Sequence, residues 1–250
     1  MLLECERISK RFGGVHAVAE IDLQVAPAQV FGLIGPNGAG KTTLVNLISG
    51  HLRVDGGAIR FDGADVTRLA SHSLTARGIA RTFQGVRLFK GLSVIENVLI
   101  GRHTRMRSDV LGRLWPRGEP DRIDRDHAGR LLDRVGLDRP QALAGELAYG
   151  DQRRLEIARA LASEPRLLIL DEPAAGMNAS ESARLRELMR SLVGEGLTII
   201  LIEHDVRLVM GASQRVAVLN FGRKIAEGTP AEVQASPAVR EAYLGTEDAA

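Results

Sequence analysis

Apolar and polar positions along the chain alternate in short blocks, and the blocks predict strands and amphipathic helices in turn. Residues 2–8 and 18–25 alternate with a period near two, as strands with one wet face do, and Lys10–Gly14 between them reads as a turn. Val30-Phe31-Gly32-Leu33-Ile34 runs apolar into a glycine-rich turn, and Lys41–Ile48 then opens a helix. Ala58–Gly63 predicts a short strand and turn, and Gly78–Gln84 a strand ending on an amide. Leu167–Leu170 and Leu197–Ile202 are continuous apolar runs, the pattern of parallel strands buried on both faces. Helices are predicted near 93–101, over 122–135 (Ile123, Leu131, Leu132 and Val135 on one face), over 151–163 (Leu155, Ala158, Leu161) and over 180–193 (Leu185, Leu188, Met189, Leu192). Pro165 stops the third of these. After Val216–Leu219, Gly222–Glu227 predicts a hairpin, and short helices near 230–235 and 237–244 follow.

Between about 85 and 146 the texture changes to arginine-rich sequence with Gly and Pro punctuation near 112–120. This stretch is expected to form a mostly helical lobe inserted into an α/β core. With 250 residues and 44% hydrophobic content the chain can bury a sizeable core. No apolar run approaches the roughly 18 residues of a membrane span. Met1–Glu6 has neither a basic region nor a cleavable apolar stretch, so a cytoplasmic protein is expected. The single cysteine, Cys5, is expected to be a small buried residue of the first strand. A net charge of +2 does not point to nucleic acid. Arginine dominates the 33 basic residues, which reads as codon usage rather than function. One local excess, Arg102, His103, Arg105, Arg107, Arg113 and Arg117, fits a solvated loop or, alternatively, contact with a membrane-embedded partner or anionic headgroups.

The chemistry concentrates where the first buried strand ends. Gly35, Gly40, Lys41 and Thr42 have the spacing G-x-x-x-x-G-K-[ST] between a strand and a helix. Glycine is needed because backbone must wrap closely around phosphates at φ values that a Cβ penalises. Successive N–H groups and the positive end of the helix then attract the anion. Lys41 is expected to reach the terminal phosphates and the Thr42 hydroxyl to help hold Mg²⁺. Asp171 and Glu172 close a buried strand, at the usual ligand edge of an open α/β sheet. His204 ends the next one and is expected at the γ-phosphate. Phe12 serves either the core or as a platform beneath an adenine ring.

In order, Gly35–Thr42, Gln84, Leu147-Ala148-Tyr149-Gly150-Asp151-Gln152-Arg153-Arg154, Leu167–Glu172 and His204 resemble an ABC-transporter ATP-binding subunit, across nearly the whole chain. Leu-Ala-Tyr-Gly at 147–150, Glu172–Asn178 and Gly222–Pro230 are similar to the branched-chain amino-acid importer branch (LivG type). The resemblance implies an α/β P-loop NTPase core of the ABC ATPase type (1–90 and 151–250), with an N-terminal antiparallel β subdomain and a helical subdomain insert at 91–150. It implies ATP on Gly35, Pro36, Asn37, Gly38, Ala39, Gly40, Lys41, Thr42 and Thr43, with Phe12 stacked on adenine. Mg²⁺ would be held by Thr42, Gln84 and Asp171. Glu172 would polarise the attacking water, and His204 would contact the γ-phosphate. Leu147, Ala148, Tyr149, Gly150 and Asp151 would act in trans as the signature segment, with Asn178 in the D-loop.

The implied partners are membrane permease subunits, a second ATP-binding subunit (a sister ATPase, or the chain itself) and, indirectly, a periplasmic or extracellular solute-binding protein, with no nucleic acid. The implied location is the cytoplasmic face of the membrane, as a peripheral subunit. Importers of amides or aromatic acids, a non-transport ABC ATPase and a P-loop kinase are the competing readings. Three positions depart from the wider family: Ala148 lacks a donor hydroxyl, Tyr149 stands for a glycine, and Asp151 stands for a glutamine. The charge of Asp151, near the partner's γ-phosphate, is expected to weaken the helix-terminus attraction by about 0.3–1 kcal/mol.

Overall fold

The computed structural model describes residues 1–104 and 122–244. Arg105, Arg107, Arg113 and Arg117, and the Gly and Pro punctuation near 112–120, lie outside the described residues. Strands β1 (Leu3–Phe12), β2 (Val15–Val25), β4 (Gly56–Phe61) and β5 (Ala64–Asp65) form an antiparallel sheet in the order β2-β1-β4-β5. A six-stranded sheet has the order β10-β9-β3-β8-β7-β6, built from β3 (Val30–Ile34), β6 (Ile79–Arg81), β7 (Leu167–Asp171), β8 (Thr198–Ile202), β9 (Arg215–Asn220) and β10 (Arg223–Gly228). Its strands run parallel except β10, which pairs antiparallel with β9 as the final hairpin.

Two predicted boundaries are corrected. The turn Lys10–Gly14 shrinks to Gly13-Gly14, because β1 pairs with β2 as far as Phe12 opposite Val15. The strand over 78–84 ends at Arg81. Thr82 N–H still reaches the Ile169 carbonyl at 2.9 Å, but residues 83–87 leave the sheet for side chains of a neighbouring helix.

Period-2 geometry explains why the central strands are apolar throughout. Leu167, Ile169, Ile200 and Ile202 face one core, with α1 (Lys41–Ile48) and the antiparallel sheet. Leu168, Leu170, Ile199 and Leu201 face the other, with α5 (Tyr149–Leu161), α6 (Ala179–Gly194) and α7 (Val206–Ala212). Each such side chain contributes about 1.5–3 kcal/mol when fully buried. Cys5 is buried in β1, and burial, then Asp22, pushes its thiol pKa up to about 12.

Helices α3 (Val94–Gly101) and α4 (Arg122–Val135) pack with α5 onto the second core through Val94, Val98, Leu131, Leu132, Val135 and Leu155. Ser93 starts α3 with a reciprocal capping box to Glu96. Ile123, expected on the buried face of α4, is 66% exposed. Eight residues before Leu131, it is rotated about 80° off the buried stripe. Helix α5 starts at Tyr149, two residues ahead of the prediction. Short α2 (Ser71–Ala76), which the pattern did not reveal, precedes β6, and α8 (Pro230–Ala235) and α9 (Pro237–Leu244) close the described chain as expected. Among the described residues no helix is long and apolar enough to cross a membrane.

Candidate functional site: the phosphate-loop edge of the sheet

The carboxyl ends of β3, β6, β7 and β8 converge on one edge of the sheet. From β3 the chain enters the loop Gly35–Gly40. Gly35 has φ 150°, and a Cβ there would lie 2.1 Å from the Leu219 carbonyl oxygen; at Gly40, with φ 99°, it would lie 2.4 Å from that of Ala17. Only glycine fits against β9 and β2 at these points. No side chain caps the N-terminus of α1, so its first N–H groups remain for an anion. Lys41 lies folded onto the loop, its Nζ donating to the carbonyls of Gly35 (2.6 Å) and Pro36 (3.0 Å). Burial lowers its pKa, while Glu172 and Asp171 act to raise it.

Asp171 is buried at the end of β7, and its Oδ2 accepts from Arg81 Nη2 at 2.7 Å. Arg81 also donates to Asn46 Oδ1 (2.6 Å) and to Ser49 Oγ (3.1 Å), linking the carboxylate to α1 and its C-cap. Glu172 follows with φ 50°, a left-handed conformation that costs a non-glycine residue about 1–2 kcal/mol. Its N–H still donates to Ile202 at 2.9 Å. Beyond that bend the carboxylate is gripped twice. Oε1 lies 2.7 Å from His204 Nε2, and both oxygens lie 3.1 Å from Gln84 Nε2.

Glu203, which sequence reasoning missed, is the anchor behind this group. Its buried carboxylate accepts from Ala174 N–H (2.7 Å) and His204 N–H (3.2 Å), and burial raises its pKa. It therefore ties His204 to the loop that follows Glu172. An acid at the end of an apolar strand was the available signal.

A cleft of about 450 Å³ opens over this edge, lined by residues 37–43, Gln84, Glu172 and His204, with Val15 and Phe221 also in its wall. Phe12 is not among the residues lining it. It is half exposed at the end of β1, with Lys10 Nζ 5.7 Å from its ring centroid, which corrects the core alternative for this residue. Residues 147–151 do not line the cleft either. They form the start of α5, where Ala148 is an N-cap without a side-chain bond. A single chain thus brings together the phosphate loop, Gln84, Asp171, Glu172 and His204, and leaves the 147–151 segment apart.

One more expectation is corrected here, that of Arg102 in a free basic patch. Asp151 is ion-paired with Arg154 of its own helix, and Arg154 also donates to the carbonyls of Val135 (3.1 Å) and Gly136 (2.8 Å). That ion pair offsets part of the Asp151 charge within the helix. Arg102 is mostly buried, paired with Asp124 and, at 2.6 Å, with Glu164, so it belongs to the fold and not to a free basic patch. Asn178 is the N-cap of α6: its Oδ1 accepts from Glu181 N–H at 3.0 Å, and Glu181 returns a 2.9 Å acceptor to the Asn178 N–H. The Asn-x-x-Glu spacing could have revealed this capping box.

A family profile described as ABC transporter matches residues 18–175, and one described as branched-chain amino acid ATP-binding cassette transporter matches residues 223–249. The chain is 43% identical over 249 residues to the high-affinity branched-chain amino acid transport ATP-binding protein BraF of Pseudomonas aeruginosa, with 98% of each chain covered. It is 42% identical over 251 residues to LivG of Escherichia coli K12, which bears the same description, again with 98% of each covered. A crystal structure of an ATP-binding cassette of an ABC transporter in its ADP conformation superposes with a TM-score of 0.87 at 32% identity, covering 98% of both chains.

Proposed function

The chain belongs to the ABC transporter family and is an ATPase of that family, and from this premise we propose that it powers an importer of branched-chain amino acids. One observation carries the chemical half: a carboxylate, Glu172, held by Gln84 and His204 in the cleft of the phosphate loop. The transport half is supported by full-length similarity to BraF and LivG.

In the proposed reaction the phosphates of ATP lie on the N–H groups of residues 35–43. Lys41 exchanges its two loop carbonyls for phosphate oxygens. Glu172 accepts a hydrogen bond from the attacking water and so polarises it, while His204 turns its Nε2 from Glu172 to donate to the γ-phosphate. Phe12 stacks on adenine. The donor set suits Mg²⁺, since it offers one carboxylate with a hydroxyl and an amide oxygen, all hard donors. Magnesium characteristically takes one or two carboxylates and fills its shell with phosphate and water. Thr42, Gln84 and Asp171 would hold it, and when bound it would neutralise phosphate charge.

The 147–151 segment would complete the ATP site of a second ATP-binding subunit, since it is absent from the chain's own cleft, and Asn178 would lie in the D-loop beside it. Residues 91–150 act as a helical subdomain against the core formed by 1–90 and 151–250. This subdomain meets membrane permease subunits at the cytoplasmic face, and an external solute-binding protein delivers the amino acid. Reconstitution with the co-purifying permease and binding protein in liposomes tests the reading. ATP-dependent uptake of leucine, isoleucine and valine, lost in Lys41→Ala, is the expected result. Uptake of an amide or aromatic acid instead would reassign the substrate, and ATP turnover with ribosomes or DNA as the co-purifying partner would overturn the transport role.

A further inference from the structure

Two charged side chains of α5 hold the segment that carries Gln84, from inside the protein. Arg153 is 2% exposed. Its Nη1 donates to the Phe83 carbonyl at 2.7 Å and its Nη2 to the Gln84 carbonyl. The same Nη2 reaches the Tyr149 hydroxyl at 2.9 Å, and the guanidinium lies over the Tyr149 ring, 5.3 Å from its centroid. Glu156, also 2% exposed, presents Oε1 to the N–H groups of Phe83 and Arg87, each at 3.4 Å. A cation thus takes the carbonyls of the segment and an anion takes its amides. Both come from successive turns of one helix.

That helix begins at the 147–151 segment. Tyr149 links it onward in a second direction: its ring edge lies where a Cβ on Gly176 would sit 3.1 Å away, in the loop that follows Glu172. Gln84 in turn sets its amide on both oxygens of Glu172. The contacts run from the exposed start of α5, through a buried guanidinium, to the backbone of Gln84 and so to the carboxylate in the cleft.

We propose that Arg153 is a positioning residue: it sets Gln84 against Glu172 according to where the first turn of α5 sits. When a second subunit's ATP closes on Tyr149 and Gly150, the displacement of that turn passes through Arg153 to this chain's own Glu172, coupling the two ATP sites. The proposal rests on the paired-subunit reading above. A guanidinium suits the task because its donors form a rigid fork that serves two carbonyls and a hydroxyl at once, which an ammonium does not.

The test is a double-mutant cycle on the assembled transporter, with Arg153→Met, Gln84→Ala and both together. Arg153→Met should lower kcat about 10- to 100-fold, the scale of a catalytic group misplaced by about 1 Å, and leave the KM for ATP unchanged. If Arg153 acts through Gln84, the double variant is no slower than the slower single one. Losses that multiply, or a wild-type kcat in Arg153→Met, overturn the proposal. Removal of Arg153 leaves Glu156 buried with less compensation, so Arg153→Met/Glu156→Gln serves if the single variant does not fold. Tyr149→Phe, which deletes only the hydroxyl that Arg153 reaches, should give a smaller loss that disappears in the Gln84→Ala background; a loss that persists there counts against the proposal. Wild-type transporter without ATP turnover would overturn the functional reading and this proposal together, whereas an active wild type with multiplying losses removes this proposal alone.

Discussion

The phosphate-loop edge and the helices from Val94 to Leu161 sit side by side, yet different forces hold them. At the edge, β3, β7 and β8 are buried at all five positions, and the loops leave from a ladder of parallel backbone hydrogen bonds. The placement of Lys41, Asp171 and Glu172 follows from that backbone. The helices also bury apolar faces, but arginines make many of their polar ties. Arg102 joins α4 to Glu164, Arg154 takes the carbonyls at the end of α4, and Arg153 takes those of Phe83 and Gln84. A region fixed by main chain keeps its geometry when a side chain changes. The helical arm shares the second core with the sheet through its apolar face, so what a single side-chain change alters there is its polar ties.

That contrast makes graded predictions. The largest effect belongs to the edge: Glu172→Gln should lose about 10²–10⁴ in turnover while binding ATP and accumulating the closed dimer, as seen in single-turnover and sedimentation measurements. Wild-type-like turnover would move the water-activating role elsewhere. Lys41→Ala should weaken nucleotide binding by roughly ten- to a hundredfold in calorimetry, the worth of one charged hydrogen bond of about 1.5–3 kcal/mol, without shifting the melting temperature downward. Because burial lowers the Lys41 pKa, the wild-type affinity should start to fall below the alkaline pH at which an exposed lysine discharges. The sign follows because phosphate favours the protonated ammonium, which is lost first as pH rises through a lowered pKa. A flat alkaline profile would show that the ammonium is not a phosphate ligand.

In the arm the expected changes are smaller and of another kind. Arg102→Met should cost about 1.5–3 kcal/mol in denaturant unfolding and speed hydrogen exchange in α4, with ATP affinity unchanged. A parallel loss of ATP affinity would break the distinction between the two regions. Asp151→Gln should change stability and ATP-driven dimer closure by no more than about 0.5 kcal/mol, as for a part-exposed ion pair within one helix. A larger shift in closure would restore a direct electrostatic role for Asp151.

The legible part of the site is the part written in consecutive residues. Gly35–Thr43 follows β3, Asp171 and Glu172 stand at the end of β7, and His204 lies two residues past β8, so strand burial alone sends them to one edge. Arg81, Arg153 and Arg154 carry no such signal, and nothing in their local sequence sets them apart from the other arginines. Yet Arg81 grips a carboxylate 90 positions away, and Arg153 a carbonyl 70 positions away. Gln84 was found, but as the end of a strand, whereas α5 pulls its segment out of the sheet. Asp151 was read as a bare charge because its partner, three residues on, matters only once the helix turns them together.

Local chain order, through hydrophobic period and turn chemistry, determined the strands, the phosphate loop and the acids at the strand end, because backbone preference and burial act over a few residues. Which buried cation meets which carbonyl or carboxylate was decided by tertiary structure alone. Those partners lie on elements brought together by sheet order and helix packing, and a charge out of water must take the neighbour that the fold provides.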